Sequence, residues 1–219
     1  MEGDEKLEKS GDVIRNETIG HYCEALGSKL PTPGGGGASA VAGSFGCSLG
    51  LMVLSFTIGK KRYADIEEEL KKDRDALTVL RDRFYLLAEE DERVFAPLAT
   101  AYRMPEETPE EKEKKKEVME SALYEAASVP LQIMEEAVKA LRTMEHVAQK
   151  GSKMAISDAG VGGDYLSTAL KGAMLNVLIN AQSMSDKAHR DECVDKGSAL
   201  LDEGAKLLKS VEETVLKRL

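Results

Sequence analysis

At 219 residues, with 42% of positions hydrophobic and 32% charged, the chain is long enough to bury a core, and its composition excludes disorder over most of its length. A formal net charge of −9 argues against a nucleic-acid partner, because phosphate binding needs a concentrated basic face. Aromatics at 5%, no tryptophan, and recurrent Ala, Leu, Glu and Lys exclude a sheet-rich fold and predict an all-α, single-domain chain.

Met1 to Arg15 is mostly charged and reads as a flexible lead-in without a secretory signal pattern. Apolar spacing predicts a short helix over Ile19 to Leu26. The run Pro31-Thr-Pro-Gly-Gly-Gly-Gly37 breaks it, since two prolines fix φ and four glycines admit geometries closed to other residues. The next segment, to about Ile58, is uncharged and crowded with small residues such as Ala38, Ser39, Gly43, Gly46 and Gly50. It is long enough to cross a bilayer, and it equally suits a helix buried on every side of a bundle. Its hydroxyls, and the lack of a second segment apolar enough to join it, favour the buried helix and no membrane partner.

A long helix is predicted from about Asp65 to Tyr102, with Ile66, Leu70, Leu77, Leu80, Phe84, Leu87, Phe95 and Leu98 as its inward stripe. Pro97 should kink its end. Thr108-Pro-Glu-Glu111 is a capping box with proline at the first helical position and starts the next helix. There Glu110 to Lys116 is a solvated charge run, Pro130 should bend or divide the helix, and Ile133, Ala137, Leu141, Met144 and Ala148 face inward. Lys150-Gly-Ser is a stop. Ser157 or Asp158 can cap a further helix, weakened early by Gly160, Gly162 and Gly163. A last helix begins near Ser185 or Asp186. The sum is an up-and-down bundle around a small-residue central helix.

Cys23, Cys47 and Cys193 are odd in number and widely spaced, so a disulfide framework or zinc site is not expected, and reduced thiols point to a cytoplasmic location. The loop before the central helix, Gly34 to Gly37, can hold an anion on its N–H groups or let a flat ligand approach, and a structural turn explains it equally well. In Gly59-Lys-Lys-Arg-Tyr63, cations at a helix C-terminus are favourable in themselves; one facing inward can meet a substrate carboxylate. Asp73 and Asp91 fall on the buried stripe of the long helix, where a carboxylate needs a partner or a task. Asp158 caps a helix or joins a pocket. Asn176 and Asn180, four apart, share a helix face and either tie helices together or bind the edge of a heterocycle.

The run Leu30-Pro-Thr-Pro-Gly-Gly-Gly36, the small-residue helix and Thr57-Ile-Gly-Lys-Lys-Arg-Tyr63 resemble the opening of the cyclodeaminase domain of formiminotransferase-cyclodeaminase. That family includes stand-alone methenyltetrahydrofolate cyclohydrolases. The similarity continues through Asp91 to Phe95, Thr108 to Lys112, Val129-Pro-Leu131, Ser157-Asp158 and Asn176-Val-Leu-Ile-Asn180.

The resemblance implies an intertwined homodimer and a tetrahydrofolate derivative as partner. It implies hydrolysis of 5,10-methenyltetrahydrofolate to the 10-formyl compound. Cyclodeamination of the 5-formimino compound and folate binding without turnover are the alternatives. No metal, and no cofactor beyond the folate-bound substrate, is expected. On this reading Asp91 or Asp158 stabilises the cationic carbon and relays protons, and Lys60 or Lys61 serves as acid or clamps the glutamate tail. Pro33, Gly34, Gly35, Gly36, Tyr63, Asn176 and Asn180 surround the substrate.

Overall fold

The computed structural model describes residues 12–219, so most of the expected lead-in, Met1 to Gly11, lies outside the described residues. Seven α-helices follow in order: α1 (Asp12–Asn16), α2 (Ile19–Leu26), α3 (Gly35–Ser55), α4 (Glu67–Tyr102), α5 (Pro109–Lys150), α6 (Ile156–Ser183) and α7 (Lys187–Arg218). Short 3-10 turns fill Lys61–Ile66 and Lys153–Ala155, and no strand occurs among the described residues. The expectation of a flexible lead-in fails for Asp12 to Arg15. These residues form α1, held to α4 by Ile14 N–H donating to Glu89 Oε1 (3.3 Å) and by an Arg15–Asp82 ion pair at 3.0 Å.

Helix α3 packs against α4, α5 and α6, and its small residues explain how. A side chain at Gly43 would lie 2.6 Å from the Phe84 ring, and one at Gly46 would lie 2.6 Å from Leu166 Cγ and 2.8 Å from the Gly162 carbonyl. The helices touch through their backbones, an approach that larger residues forbid. Gly35 adjoins Asn176, Gly46 adjoins Leu166, and Gly151, just before α6, adjoins Val53. α3 and α6 are therefore antiparallel. α3 is the described helix long and apolar enough to cross a membrane, and 56% of that window is buried inside the fold.

The inward stripe of α4 is buried at Leu70, Leu77, Leu80, Phe84, Leu87 and Leu98. Asp73, one of its two carboxylates, pairs with His146 Nδ1 on α5 at 2.5 Å. The Thr108 capping box forms as expected, with Glu111 Oε2 accepting from Thr108 N–H at 3.0 Å. Pro130 neither divides nor ends α5, which runs unbroken to Lys150 with Pro130 buried inside it. Packing on α6 and α7 outweighs the one hydrogen bond that proline removes. Neither Ser157 nor Asp158 caps α6. Ser152 instead caps the preceding 3-10 turn, accepting from Met154 N–H at 3.4 Å, and Asp158 lies within the first turn of α6. Asp186 caps α7 as expected.

Candidate active site

The glycine run is not a loop. Gly34 is the N-cap of α3, and Gly35, Gly36 and Gly37 form its first turn. The first N–H groups of a helix have no acceptor within it. Asp91, on α4, supplies one from 54 residues away: its Oδ2 accepts from Gly37 N–H at 2.8 Å. The carboxylate lies flat on the glycine turn. A Cβ at Gly36 would fall 2.5 Å from both Cγ and Oδ2 of Asp91, and closer still to Oδ1. Only glycine admits the acid there. Burial pushes the Asp91 carboxyl above the ordinary range, and the Gly37 N–H pulls it back down. Its neighbour Glu92 is also raised, first by burial and then by Asp91, Glu17 and Glu89, with Thr32 acting the other way.

Gly35 faces Asn176 of α6, whose Nδ2 would stand 3.3 Å from a Cβ at that position. Both asparagines direct their donors into backbone. Asn176 Nδ2 donates to Gly172 O at 2.9 Å, and Asn180 Nδ2 donates to Asn176 O at 3.0 Å and to Ala126 O of α5 at 3.2 Å. Each amide leaves its Oδ1 free to accept from a ligand. The result is a cavity of about 160 Å³ lined by Pro31, Thr32, Gly34, Gly35, Gly36, Asp91, Asn176 and Asn180, and closed by Val94, Phe95, Ala126 and Ile179. It offers a carboxylate and amide oxygens as acceptors, beside the N–H groups at the start of α3. That arrangement suits a flat, electron-poor ligand carrying its own N–H donors and positive charge.

Six of the sequence-predicted residues thus meet in one place: Gly34, Gly35, Gly36, Asp91, Asn176 and Asn180. Pro33 adjoins them through the Thr32–Pro33 cis peptide but does not line the cavity. Lys60, Lys61, Tyr63 and Asp158 are elsewhere. They sit past the C-terminus of α3 and at the start of α6, about 30 Å along α3 from the glycine turn. There Lys60 Nζ lies 4.0 Å from Met154 Sδ and 5.8 Å from the Phe56 ring centroid, and the Tyr63 ring stacks under Arg62 at 4.7 Å. Within one chain these four do not share the Asp91 cavity. Phe95, Val94 and Thr32 were missed as lining residues; Thr32 stood inside the Pro-Thr-Pro run, whereas the apolar pair looked like ordinary core.

A larger cavity of about 360 Å³ lies under α1 and α2, against Tyr22, Ala38, Phe45, Tyr85 and Tyr165. Its lining is mostly apolar apart from Arg15 and Glu17, and it lacks Asp91 and the two asparagines that make the smaller cavity chemically distinctive.

The chain is similar to known proteins over most of its length. Residues 18–198 match the family model described as formiminotransferase-cyclodeaminase. The chain is 37% identical over 200 residues to the methenyltetrahydrofolate cyclohydrolase of Methylorubrum extorquens, covering 91% of this chain and 96% of that protein. It is 29% identical to the formimidoyltransferase-cyclodeaminase of Gallus gallus, of which it spans about a third: 34% of that protein against 84% of this chain. Its fold superposes on the crystal structure of formiminotetrahydrofolate cyclodeaminase from Thermotoga maritima with a TM-score of 0.84 at 26% identity, covering 93% of this chain and 98% of that one.

Proposed function

Since the chain belongs to the formiminotransferase-cyclodeaminase family, we propose that it is a folate one-carbon enzyme that hydrolyses 5,10-methenyltetrahydrofolate to 10-formyltetrahydrofolate. The observation that carries this reading is the likeness to a stand-alone cyclohydrolase over nearly the whole of both chains.

The cavity supports it chemically. The methenyl carbon is a cation shared by N5 and N10. Water adds to it and loses a proton, giving a neutral tetrahedral carbon that bears a hydroxyl; the N5–carbon bond then breaks as the hydroxyl gives up its proton to form the formyl C=O, and N5 takes one proton, leaving the formyl group on N10. One proton is released overall. Asp91 faces the cation before addition and accepts the proton of the attacking water. Asn176 and Asn180 accept from the N–H edge of the pterin, and the glycine turn lets the ring lie against backbone. Cyclodeamination, the second reading, is supported by the likeness to the Thermotoga protein. It uses the same carbon with N10 as nucleophile and ammonia as leaving group.

We further propose that the working form is a homodimer. α6 carries Val161, Tyr165, Leu175 and Ile179 on one stripe, and beside it α3 carries Phe45 and Met52; all six are between 40% and 68% exposed. A second copy packed antiparallel on this face covers the stripe and carries the partner subunit's Lys60 end toward the Asp91 cavity, where a cation can hold the glutamate tail.

The test is loss of the methenyl absorbance above its spontaneous rate, with ammonia release from 5-formiminotetrahydrofolate measured in parallel. Absorbance loss without ammonia supports hydrolysis. Ammonia release assigns the second reading, and neither signal refutes both.

A further inference from the structure

Two buried side-chain oxygens among the described residues have no hydrogen-bond partner: the hydroxyls of Tyr22 and Tyr63. Buried hydroxyls are nearly always paired, so each calls for an explanation. Tyr63 is far from the cavity. Tyr22, on α2, is beside it. A Cβ at Gly37 would lie 3.4 Å from Tyr22 Oη, 3.6 Å from the Ala88 carbonyl oxygen and 3.9 Å from Asp91 Oδ2. Three oxygens from α2 and α4 therefore converge on the side of Gly37 where a side chain would otherwise stand.

Their hydrogen-bond capacities are complementary to one water molecule. Tyr22 has a proton to give; the Ala88 carbonyl has a second lone pair; Asp91 Oδ2 already takes one N–H and can take another donor. A water there accepts from Tyr22 and donates to the other two, which satisfies all three. On the functional reading above, we propose that Tyr22 is a positioning residue for Asp91: it anchors a water over Gly37 that donates to the carboxylate and holds it against the glycine turn.

The electrostatics make that donor matter. Burial and the carboxylates of Glu92, Asp91 and Glu17 raise the Tyr22 phenol well above its ordinary range, with a smaller push from Cys23, so it stays protonated. The groups that act on Tyr22 and on Glu92, the residue next to Asp91, are acidic or neutral: Glu17 ahead of α2, Cys23 on α2, Glu89, Asp91 and Glu92 on α4, and the Thr32 hydroxyl. Removing a hydrogen-bond donor from a carboxylate in that company favours its protonated form.

Two substitutions isolate the water. Tyr22→Phe keeps the ring and removes the hydroxyl. Gly37→Ala keeps the hydroxyl and fills the spot with a methyl at ordinary contact distances of 3.4 Å or more. Asp91 is titrated by NMR in protein labelled with carboxyl-13C aspartate, its resonance assigned by loss in Asp91→Asn; this readout does not depend on turnover. Both variants are expected to titrate Asp91 roughly one unit higher than the wild type. In a wild type that turns over, the acid limb of kcat/KM moves by the same amount in Tyr22→Phe. Asp91 titrating as in the wild type in both variants overturns the proposal, and a shift in Tyr22→Phe alone overturns the shared water. A wild type inert toward both folates overturns the functional reading and leaves the titration to decide this one.

Discussion

Gly36→Ala is the sharpest perturbation the structure offers. The added methyl lies 2.5 Å from Asp91 Cγ and Oδ2, about 0.5 Å inside the closest approach that real Cβ atoms show. The neighbour is a two-bond side chain on a packed helix, so the carboxylate must swing away and surrender the 2.8 Å bond from Gly37 N–H. A charge-assisted bond of this kind contributes about 1.5–3 kcal/mol, and alanine in place of glycine within a helix returns about 1 kcal/mol. The net loss of stability is therefore about 0.5–2 kcal/mol, and the protein stays folded. On the proposed role of Asp91, catalysis suffers more, because displacing a reacting group by about 1 Å costs on the order of 100-fold. The assay is the initial rate of methenyl absorbance loss, with thermal melting followed by circular dichroism on the same preparation. A melting point close to wild type with an undiminished rate would refute the claim that Asp91 acts from the glycine turn.

Further outcomes follow from the same geometry. Asn176→Ala and Asn180→Ala should each raise KM about 10-fold with a smaller effect on kcat, as expected for the loss of one hydrogen bond to bound substrate; the check is steady-state kinetics at saturating and limiting folate. Burial raises the folded-state pKa of Asp91 above its unfolded value of about 3.9, so stability from this group is present below that value and lost as pH rises through the folded one. Asp91→Asn, which keeps an acceptor for Gly37 N–H, should therefore melt at or above wild type at pH 8, with the difference shrinking toward pH 4. Phe84→Ala should cost about 3–5 kcal/mol in urea unfolding, because the ring is fully buried against Gly43. Tyr165→Glu, on the exposed α6 stripe, should give a monomer by analytical ultracentrifugation and weaken turnover at low folate concentration; an unchanged sedimentation profile would remove the homodimer from the account.

The sequence was most legible where the determinants are local. Thr108 with Glu111, and Asp186 before Lys187, mark helix starts because the capping atoms lie within three residues of the groups they satisfy. Apolar periodicity located α4 and its buried stripe, and the stripe exposed Asp73 and Asp91 as exceptions. What it did not reveal was their partners, since His146 is 73 residues from Asp73 and Gly37 is 54 from Asp91. The glycine run read as a loop because glycine propensity disfavours helix. Tertiary packing overrode that propensity, since the acid needs a helix start without side chains. Asp158 read as an N-cap, but the helix begins two residues earlier, behind a 3-10 turn that Ser152 caps. Tyr22 carried no sequence signal at all: its importance arises from the fold laying α2 over the first turn of α3.

On the proposed function, Asp91, seated on a side-chain-free helix start, handles the carbon between two folate nitrogens. The most direct test of that role is the catalysed decay of methenyl absorbance by Asp91→Asn beside the wild type, at equal folded concentration. Rapid decay is expected with the wild type, and a rate reduced at least about 100-fold, close to the spontaneous one, in the variant. Equal decay with both proteins would contradict it.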